Sequence, residues 1–125
     1  MSFQAALTKS PTADLMDHVV AFVGGTTAVT KVAGSGQGVT VTYVSSGLVN
    51  LVWKDNPGLF IGGGAQFQAT TPANLKQYAA IFGAWNATTF TLPISIYNAS
   101  GTLTDLAALQ WLLCELQFKM SSSAV

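Results

Sequence analysis

The feature that most constrains the fold is a series of short apolar segments separated by turn sequences. Residues 39–44 read VTVTYV and residues 48–53 read LVNLVW, with Ser-Ser-Gly between them. In the first segment β-branched residues alternate with a period of two, which is typical of a half-buried β-strand. Small residues such as those of Ser-Ser-Gly favour a turn. This stretch therefore predicts two strands joined by a turn.

Comparable segments lie on both sides of this pair. HVVAFV at 18–23 ends at a Gly-Gly turn, and TAVTKVA at 27–33 is closed by GSGQG. LFIGGGAQFQATT at 59–71 predicts a longer strand, in which three consecutive glycines indicate a bulge or a close approach of another backbone. TTFTLPISIYN at 88–98 alternates again, and Pro93 within it predicts an edge strand or a bulge.

Two further segments each fit two secondary structures. NLKQYAAIFGAW at 74–85 fits a helix or a strand, and the sequence does not decide between them. LTDLAALQWLLCELQFKM at 103–120 has an apolar helical stripe, but Trp111 and Phe118 fall outside that stripe. As a strand it places one apolar set on a single face: Leu112, Cys114, Leu116, Phe118 and Met120. We therefore predict a strand at 109–120, provided that its Trp111 end is covered on both faces.

About eight short segments with frequent turns predict an all-β fold, an antiparallel β-sandwich of jelly-roll-like type. A length of 125 residues suits one domain, which we place at 18–125. Residues 1–17 carry small and polar side chains and a Ser10-Pro11 break, and they predict an extended N-terminal arm. Such an arm is either disordered or ordered against a neighbouring subunit.

The scarcity of charge is the unusual property of the composition. Charged residues make up 8% of the chain, with five lysines, no arginine and five carboxylates, so that the net charge is zero. Ordinary soluble domains carry about 25% charged residues. A soluble monomer covers itself with mixed charges, whereas large uncharged apolar surfaces mark interaction sites. We therefore expect a protein that assembles with other chains.

The sequence argues against several classes of partner. The five lysines are spread along the chain and form no basic stripe, so we expect no nucleic-acid binding. No apolar run approaches the ~18 residues that span a bilayer, so we expect no membrane partner. The first 20 residues lack the basic and apolar regions of a signal peptide, and the single cysteine cannot form an internal disulfide. We expect synthesis in a cytoplasm.

Chemically active side chains are few, since the chain has one histidine and five carboxylates. The densest group is Asp14, Asp17 and His18, whose spacing would suit a metal at an oligomer interface. Two solvated aspartates before a strand are the simpler interpretation, and we predict no metal site. Cys114 faces the apolar side of its predicted strand, where a thiol stays protonated.

No sequence motif of an enzyme or a cofactor site is present. GSGQG lacks the third glycine of a dinucleotide-binding loop, and no Gly-x-Ser-x-Gly motif occurs. Trp53, Trp85 and Trp111 fit a sugar-binding face or, in so apolar a chain, anchors of a core or an interface. We predict no catalytic residue and no cofactor, and we do not expect an enzyme.

The order of these segments resembles small virion proteins of tailed bacteriophages, some of which are head decoration (cement) proteins. The resemblance is carried by GVTVTYVSSGLVNLVW at 38–53 and ISIYNASGTLTDLAALQWLLCELQFKMSSS at 94–123, and its pattern extends over residues 18–123. In those proteins a penultimate strand leads through an Asn/Ser/Gly turn and a Thr-Asp loop. A long final strand and a Ser-rich tail follow.

The resemblance implies a sandwich or jelly-roll protomer, commonly a trimer, on the outside of an icosahedral head. It implies a homo-oligomeric capsid decoration protein on the virion surface, made in the host bacterial cytoplasm, whose partner is the major capsid protein. Residues 1–17 are then the candidate for capsid attachment. The alternative is a receptor- or carbohydrate-binding module of a phage tail or fibre. That alternative predicts an exposed aromatic residue in a groove, with Trp85 as the first candidate.

Overall fold

The computed structural model describes residues 15–25, 29–69 and 77–119, and these residues form strands, turns and loops without any helix. The strands are β1 (Leu15–Gly24), β2 (Val29–Lys31), β3 (Val39–Ser45), β4 (Leu48–Trp53), β5 (Leu59–Ala69), β6 (Gln77–Phe82), β7 (Thr91–Asn98) and β8 (Gln110–Lys119). The all-β class is confirmed. Residues 1–14 of the predicted arm lie outside the described residues, whereas residues 15–17 belong to β1.

The strands form two four-stranded sheets. Sheet A has the order β2-β1-β8-β5, and sheet B has the order β3-β4-β7-β6. All neighbouring strands are antiparallel. The apolar inner faces of the sheets share one core, which confirms the predicted antiparallel β-sandwich. The chain enters β1 at Leu15, which pairs with Lys119 at the end of β8, and Lys119 also pairs with Leu59 at the start of β5.

The core is built from alternate residues of the central strands. The inner faces of these strands contribute Val20 and Phe22 of β1, Val49, Leu51 and Trp53 of β4, Leu92, Ile94 and Ile96 of β7, and Leu112, Cys114, Leu116 and Phe118 of β8. Burial of one large apolar side chain stabilises a fold by about 1.5–3 kcal/mol. A slip of one residue would expose the whole set, so this alternation fixes the strand register. The face predicted for the final strand is confirmed, and Met120 lies outside the described residues.

The sequence predicts an edge strand or a bulge at Pro93. The edge position is wrong, because β7 lies between β4 and β6, and the register between β4 and β7 does not shift at Pro93. Pro93 pairs with Asn50 of β4, but the β6 ladder ends at the pair Phe82–Ile94. Beyond that pair the Gly83 N–H donates to the Pro93 carbonyl at 2.8 Å. In an antiparallel strand the N–H and C=O of one residue point to the same neighbour. The hydrogen bond that proline cannot donate is therefore the last one of the β6 ladder.

Two other expectations concern β5 and β6. The register of β5 against β8 shifts between Phe60 and Gly62, which confirms a bulge. A Cβ atom on Gly63 would clash with the carbonyl oxygen of Glu115, which confirms the close approach of a second backbone. The segment that fits a helix or a strand forms β6, and residues 74–76 lie outside the described residues.

A carboxylate fastens the turn between β3 and β4 to the segment that precedes β8. Asp105 accepts hydrogen bonds from the Gly47 N–H at 2.8 Å and from the Tyr43 hydroxyl at 3.0 Å. The hydrogen bond to Asp105, with burial as a smaller cause, raises the pKa of Tyr43. Gly47 has a φ of 73°, and a Cβ atom there would lie 2.7 Å from the Thr104 nitrogen. Only glycine suits position 47, because the backbone angle and the close contact both exclude a Cβ atom.

Candidate interaction surfaces

The polar residues that lie closest together in the sequence are separated by the strand they occupy. Asp17 and His18 are consecutive in β1, so their side chains point to opposite faces of sheet A. Asp17 is exposed and His18 is partly buried on the core side, while Asp14 lies outside the described residues. Among the residues that the structure describes, no three His, Cys, Asp or Glu side chains are grouped to hold a metal ion.

His18 belongs to an aromatic cluster at one end of the core. Its ring centroid lies 5.8 Å from that of Trp53 and 5.1 Å from that of Phe118. The Trp53 Nε1–H donates to His18 Nδ1 at 3.2 Å, which places the proton of the neutral imidazole on Nε2. Nε2 is buried without a hydrogen-bond partner in the described part of the chain. Burial lowers the pKa of His18, and the charge of Asp17 opposes this in part. His18 therefore serves as a neutral ring.

Trp85 completes the aromatic cluster. Its ring centroid lies 5.5 Å from that of Trp53 and 5.2 Å from that of Phe118, and both contacts are edge-to-face. The residue is half-buried. The carbohydrate-binding alternative predicts an exposed Trp85, whereas the structure shows this residue partly exposed, with the edge contacts of its ring made to the core.

A cavity on the outer side of sheet A contains a different tryptophan. It has a volume of about 670 Å³ and is lined by Ala21, Val32, Gln68, Ala69, Trp111 and Leu113. The lining combines an indole and aliphatic groups with one side-chain amide. Trp111 is half-buried, so no described residue fully covers the outer face at this end of β8. This cavity is the aromatic site that a ligand-binding function would use.

Cys114 lies on the core face of β8, as predicted, and is fully buried. Desolvation raises the pKa of its thiol to about 12. The thiolate is the reactive form of cysteine, so this residue behaves as a small apolar side chain at neutral pH.

The outer face of sheet B carries no charged side chain among the described residues. It consists of Thr40 and Thr42 of β3, Leu48, Asn50 and Val52 of β4, Ala79 and Ile81 of β6, and Thr91, Pro93, Ser95 and Tyr97 of β7. The outer face of sheet A carries Asp17, Glu115 and Lys119. Charged residues are depleted at the centres of protein interfaces. We call this uncharged surface the B face, and it is the first candidate interaction surface.

The outer edge of β5 is the second candidate interaction surface. β5 has 11 residues and none of them is buried, although most other long strands bury alternate residues. One side of β5 pairs with β8, and no described residue pairs with the other side. No residue of β5 is charged, and Leu59 and Ile61 are 50% and 48% exposed. Natural edge strands are protected by charges, prolines, bulges or covering segments. Within the described ranges, β5 has only its bulge.

Sequence reasoning missed both surfaces for the same reason. The alternate polar residues of β3 and the absence of charge from LFIGGGAQFQA are visible in the sequence. Which strand lies at an edge, and which outward residues share a face, depends on the order of strands in a sheet. That order joins residues distant in the chain, such as those of β4 and β7.

No protein-family model, curated protein or solved structure matches the chain. The described ranges contain no helix that could cross a membrane. The two surfaces, the cavity and the sequence pattern are therefore the basis for a functional proposal.

Proposed function

We propose that the chain is a non-enzymatic structural protein of a virion, a decoration (cement) protein on the outside of a tailed-phage head. Its partners are further copies of itself, in a trimer, and the major capsid protein. The observation that carries the proposal is the B face, a sheet surface whose described residues include no charged side chain, in a chain that carries 8% charged residues. A surface of this kind suits a permanent contact, because burying it desolvates no ion.

The described titratable groups support a structural function. His18 is a neutral ring in an aromatic cluster, and the pKa of Tyr43 is raised by its hydrogen bond to Asp105. Cys114 is buried, with its pKa raised to about 12. Each of these pKa shifts has a structural cause: burial for His18 and Cys114, and the hydrogen bond to Asp105 for Tyr43.

The proposed mechanism is mechanical. Packaged DNA exerts pressure that strains a capsid shell, and an oligomer bound across neighbouring capsomers adds contact area at their junctions. A standard interface buries about 1,600 Å² in total. Three linked attachment points strengthen binding beyond the affinity of any single one. The part of the predicted arm that precedes β1, residues 1–14, is the proposed attachment segment, so the B face is left to hold the trimer together.

Light scattering on the purified chain over a hundredfold concentration range tests the assembly. The expected native mass is that of three chains, or a multiple of it, and it should persist on dilution. The double substitution Thr42→Lys and Ser95→Lys places two charges on the B face and should abolish the three-fold assembly. Val19→Lys, at an exposed apolar residue on the outer face of sheet A, is the matched control. A monomer at every concentration would contradict the proposal.

Co-sedimentation with heads built from the major capsid protein tests attachment. The full chain should bind at a fixed ratio and raise the temperature at which the heads open. Deletion of residues 2–13 should abolish binding and leave the oligomer intact. Undiminished binding by the truncated chain would refute attachment through the arm.

The Trp111 cavity favours the second candidate function, a carbohydrate- or receptor-binding module. Sugars stack on aromatic rings and bind side-chain amides, and Trp111 and Gln68 supply both at one cavity. Under this candidate a glycan array should show a ligand whose binding is lost in Trp111→Ala. Trp85→Ala is the control, since its ring contacts the core. Absence of any glycan ligand would exclude carbohydrate binding at this cavity.

A further inference from the structure

We propose that the outer edge of β5 pairs with the β5 edge of a second copy of this chain. The two strands run antiparallel about a two-fold axis and join two copies of sheet A into one continuous sheet. This contact is separate from the B face, and it does not depend on whether the protein binds a capsid.

The exposure of β5 is the first argument. The strand pairs with β8 along its length, and its core side is half-buried: Phe60 and Phe67 pack against the core, but no residue of the strand is fully buried. Residues that face the core in register, such as Gly63 and Ala65, are exposed. A ribbon about 35 Å long, at ~3.3 Å per residue, therefore extends along the edge of the sandwich with support from one side only. A second β5 would supply the missing side.

The lack of protection on this edge is the second argument. An edge strand presents a row of unpaired N–H and C=O groups that forms a template for another strand. The other edge of sheet A is β2, which has three residues and carries Lys31. The Lys31 ammonium donates to the carbonyls of Gly36 and Val39 at 3.0 and 2.8 Å. Sheet A thus has one short edge with a lysine and one long edge without any charge.

The distribution of charge favours a second copy as the occupant. β5 has no charge, and the nearest charges along its register are Glu115, opposite Gly64, and Lys119, opposite Leu59, both one strand further in. Across a two-fold contact the two Glu115 side chains would be separated by three strand spacings, about 14 Å. That distance exceeds the Debye length of about 8 Å at physiological ionic strength. A chain with zero net charge therefore meets little repulsion from its own copy.

The side chains in the middle of β5 also suit this contact. Gly63, Gly64 and Ala65 carry little or no side chain, so a second backbone can approach without steric hindrance. Leu59 and Ile61 lie toward one end, where a second sheet would cover their exposed surfaces. In an antiparallel contact the end of one strand that carries these residues meets the opposite end of the other strand.

The test is the native mass of a charged-edge variant. Ile61→Lys combined with Gln66→Lys places two lysines on each β5, a device by which natural edges avoid pairing. The expected result is that the mass halves relative to the unmodified chain while the far-ultraviolet circular dichroism is unchanged. Val44→Lys is the matched control, because Val44 is an exposed apolar residue on an edge strand of sheet B. An unchanged mass in the β5 variant would overturn the proposal.

The same measurement separates this contact from the proposed trimer. If both contacts exist, the unmodified chain forms six-chain particles, the β5 variant forms trimers, and the Thr42→Lys, Ser95→Lys variant forms dimers. If the trimer proposal fails and the β5 contact exists, the unmodified chain is a dimer and the β5 variant is a monomer. If the unmodified chain and the β5 variant are both trimers, the β5 contact is absent.

Hydrogen exchange keeps the proposal testable if the charged variant does not fold. In the unmodified chain the outward amides of β5 should be protected at high concentration and lose protection as dilution halves the mass. Deletion of residues 2–13 should leave that protection in place. Loss of protection on this deletion, with the mass unchanged, would show that the chain's own N-terminal segment covers the edge, and would overturn the proposal.

Discussion

Removal of the Phe118 ring should destabilise the fold more than removal of any other phenylalanine ring among the described residues. Phe118 is fully buried on β8 and is the centre of the aromatic cluster. Its ring centroid lies within 6 Å of the centroids of His18, Trp53, Phe60 and Trp85, at 5.1, 5.0, 5.5 and 5.2 Å. Through these contacts Phe118 joins β1, β4, β5 and the segment after β6.

The magnitude follows from burial and from the ring contacts. Replacement of a buried phenylalanine by alanine costs about 3–5 kcal/mol. Each aromatic pair adds about 0.5–1.5 kcal/mol beyond its buried area. Because Phe118 makes four such contacts, we expect Phe118→Ala to lie at the upper end of that range and to lower the free energy of unfolding by about 4–5 kcal/mol. Small domains are stable by about 5–15 kcal/mol, so this loss would remove a large fraction of the total stability.

Urea unfolding monitored by tryptophan fluorescence measures this loss, at one fixed protein concentration because the stability of an oligomer depends on concentration. Phe90→Ala is the control, since Phe90 is half-buried and packs against the same core. We expect a loss of about 1–2 kcal/mol for Phe90→Ala, from burial alone. Equal losses for the two variants, or a loss below about 2 kcal/mol for Phe118→Ala, would refute the account of the aromatic cluster.

Three further predictions concern single positions. Gly63→Ala should lower the stability by about 1–3 kcal/mol, measured as a lower melting temperature, because the added Cβ meets a neighbouring carbonyl oxygen. Gly64→Ala should leave the melting temperature unchanged, since no atom lies within 4 Å of its Cβ. The pKa of His18 is lowered in the fold, so the unfolded chain binds more protons. Stability should be complete above pH 6.5 and should fall as the pH drops below it, a slope that His18→Gln should remove in denaturant titrations. Cys114 should react with a thiol reagent slowly in the native protein and quickly in urea, since burial raises its pKa to about 12; rapid reaction in the native state would contradict its placement.

The strands were predictable because each is a local pattern. Residues that face the core and residues that face outward alternate within Val39–Ser45 and within Gln110–Lys119, and the structure shows a strand at each place. The choice of a strand over a helix for the last segment rested on finding a buried place for Cys114 and Phe118, and both are buried.

The order of the strands was not predictable, because it depends on contacts between distant segments. Pro93 shows the consequence: proline disfavours interior strands, and the sequence alone predicts an edge strand or a bulge there. In the structure β4 and β6 lie on the two sides of β7, but the β6 ladder ends at Ile94, the residue next to Pro93. The position of β5 at an unprotected edge and the shared B face have the same origin. For Trp85, single-residue reasoning identified an aromatic side chain but not the three-dimensional neighbours that half-bury it.

The pairing of Leu15 with Lys119 places the first residue of β1 and the last residue of β8 at the same end of the sandwich. The chain enters the described fold and leaves it on adjacent strands, about 5 Å apart, at one pole of the sandwich. A short linker between these two points would therefore permit circular permutation, with new ends opened at a surface turn. A peptide fused after Lys119 would emerge beside the segment that precedes Leu15. Insertions intended for display are better placed at the opposite pole, where β5 ends and β8 begins.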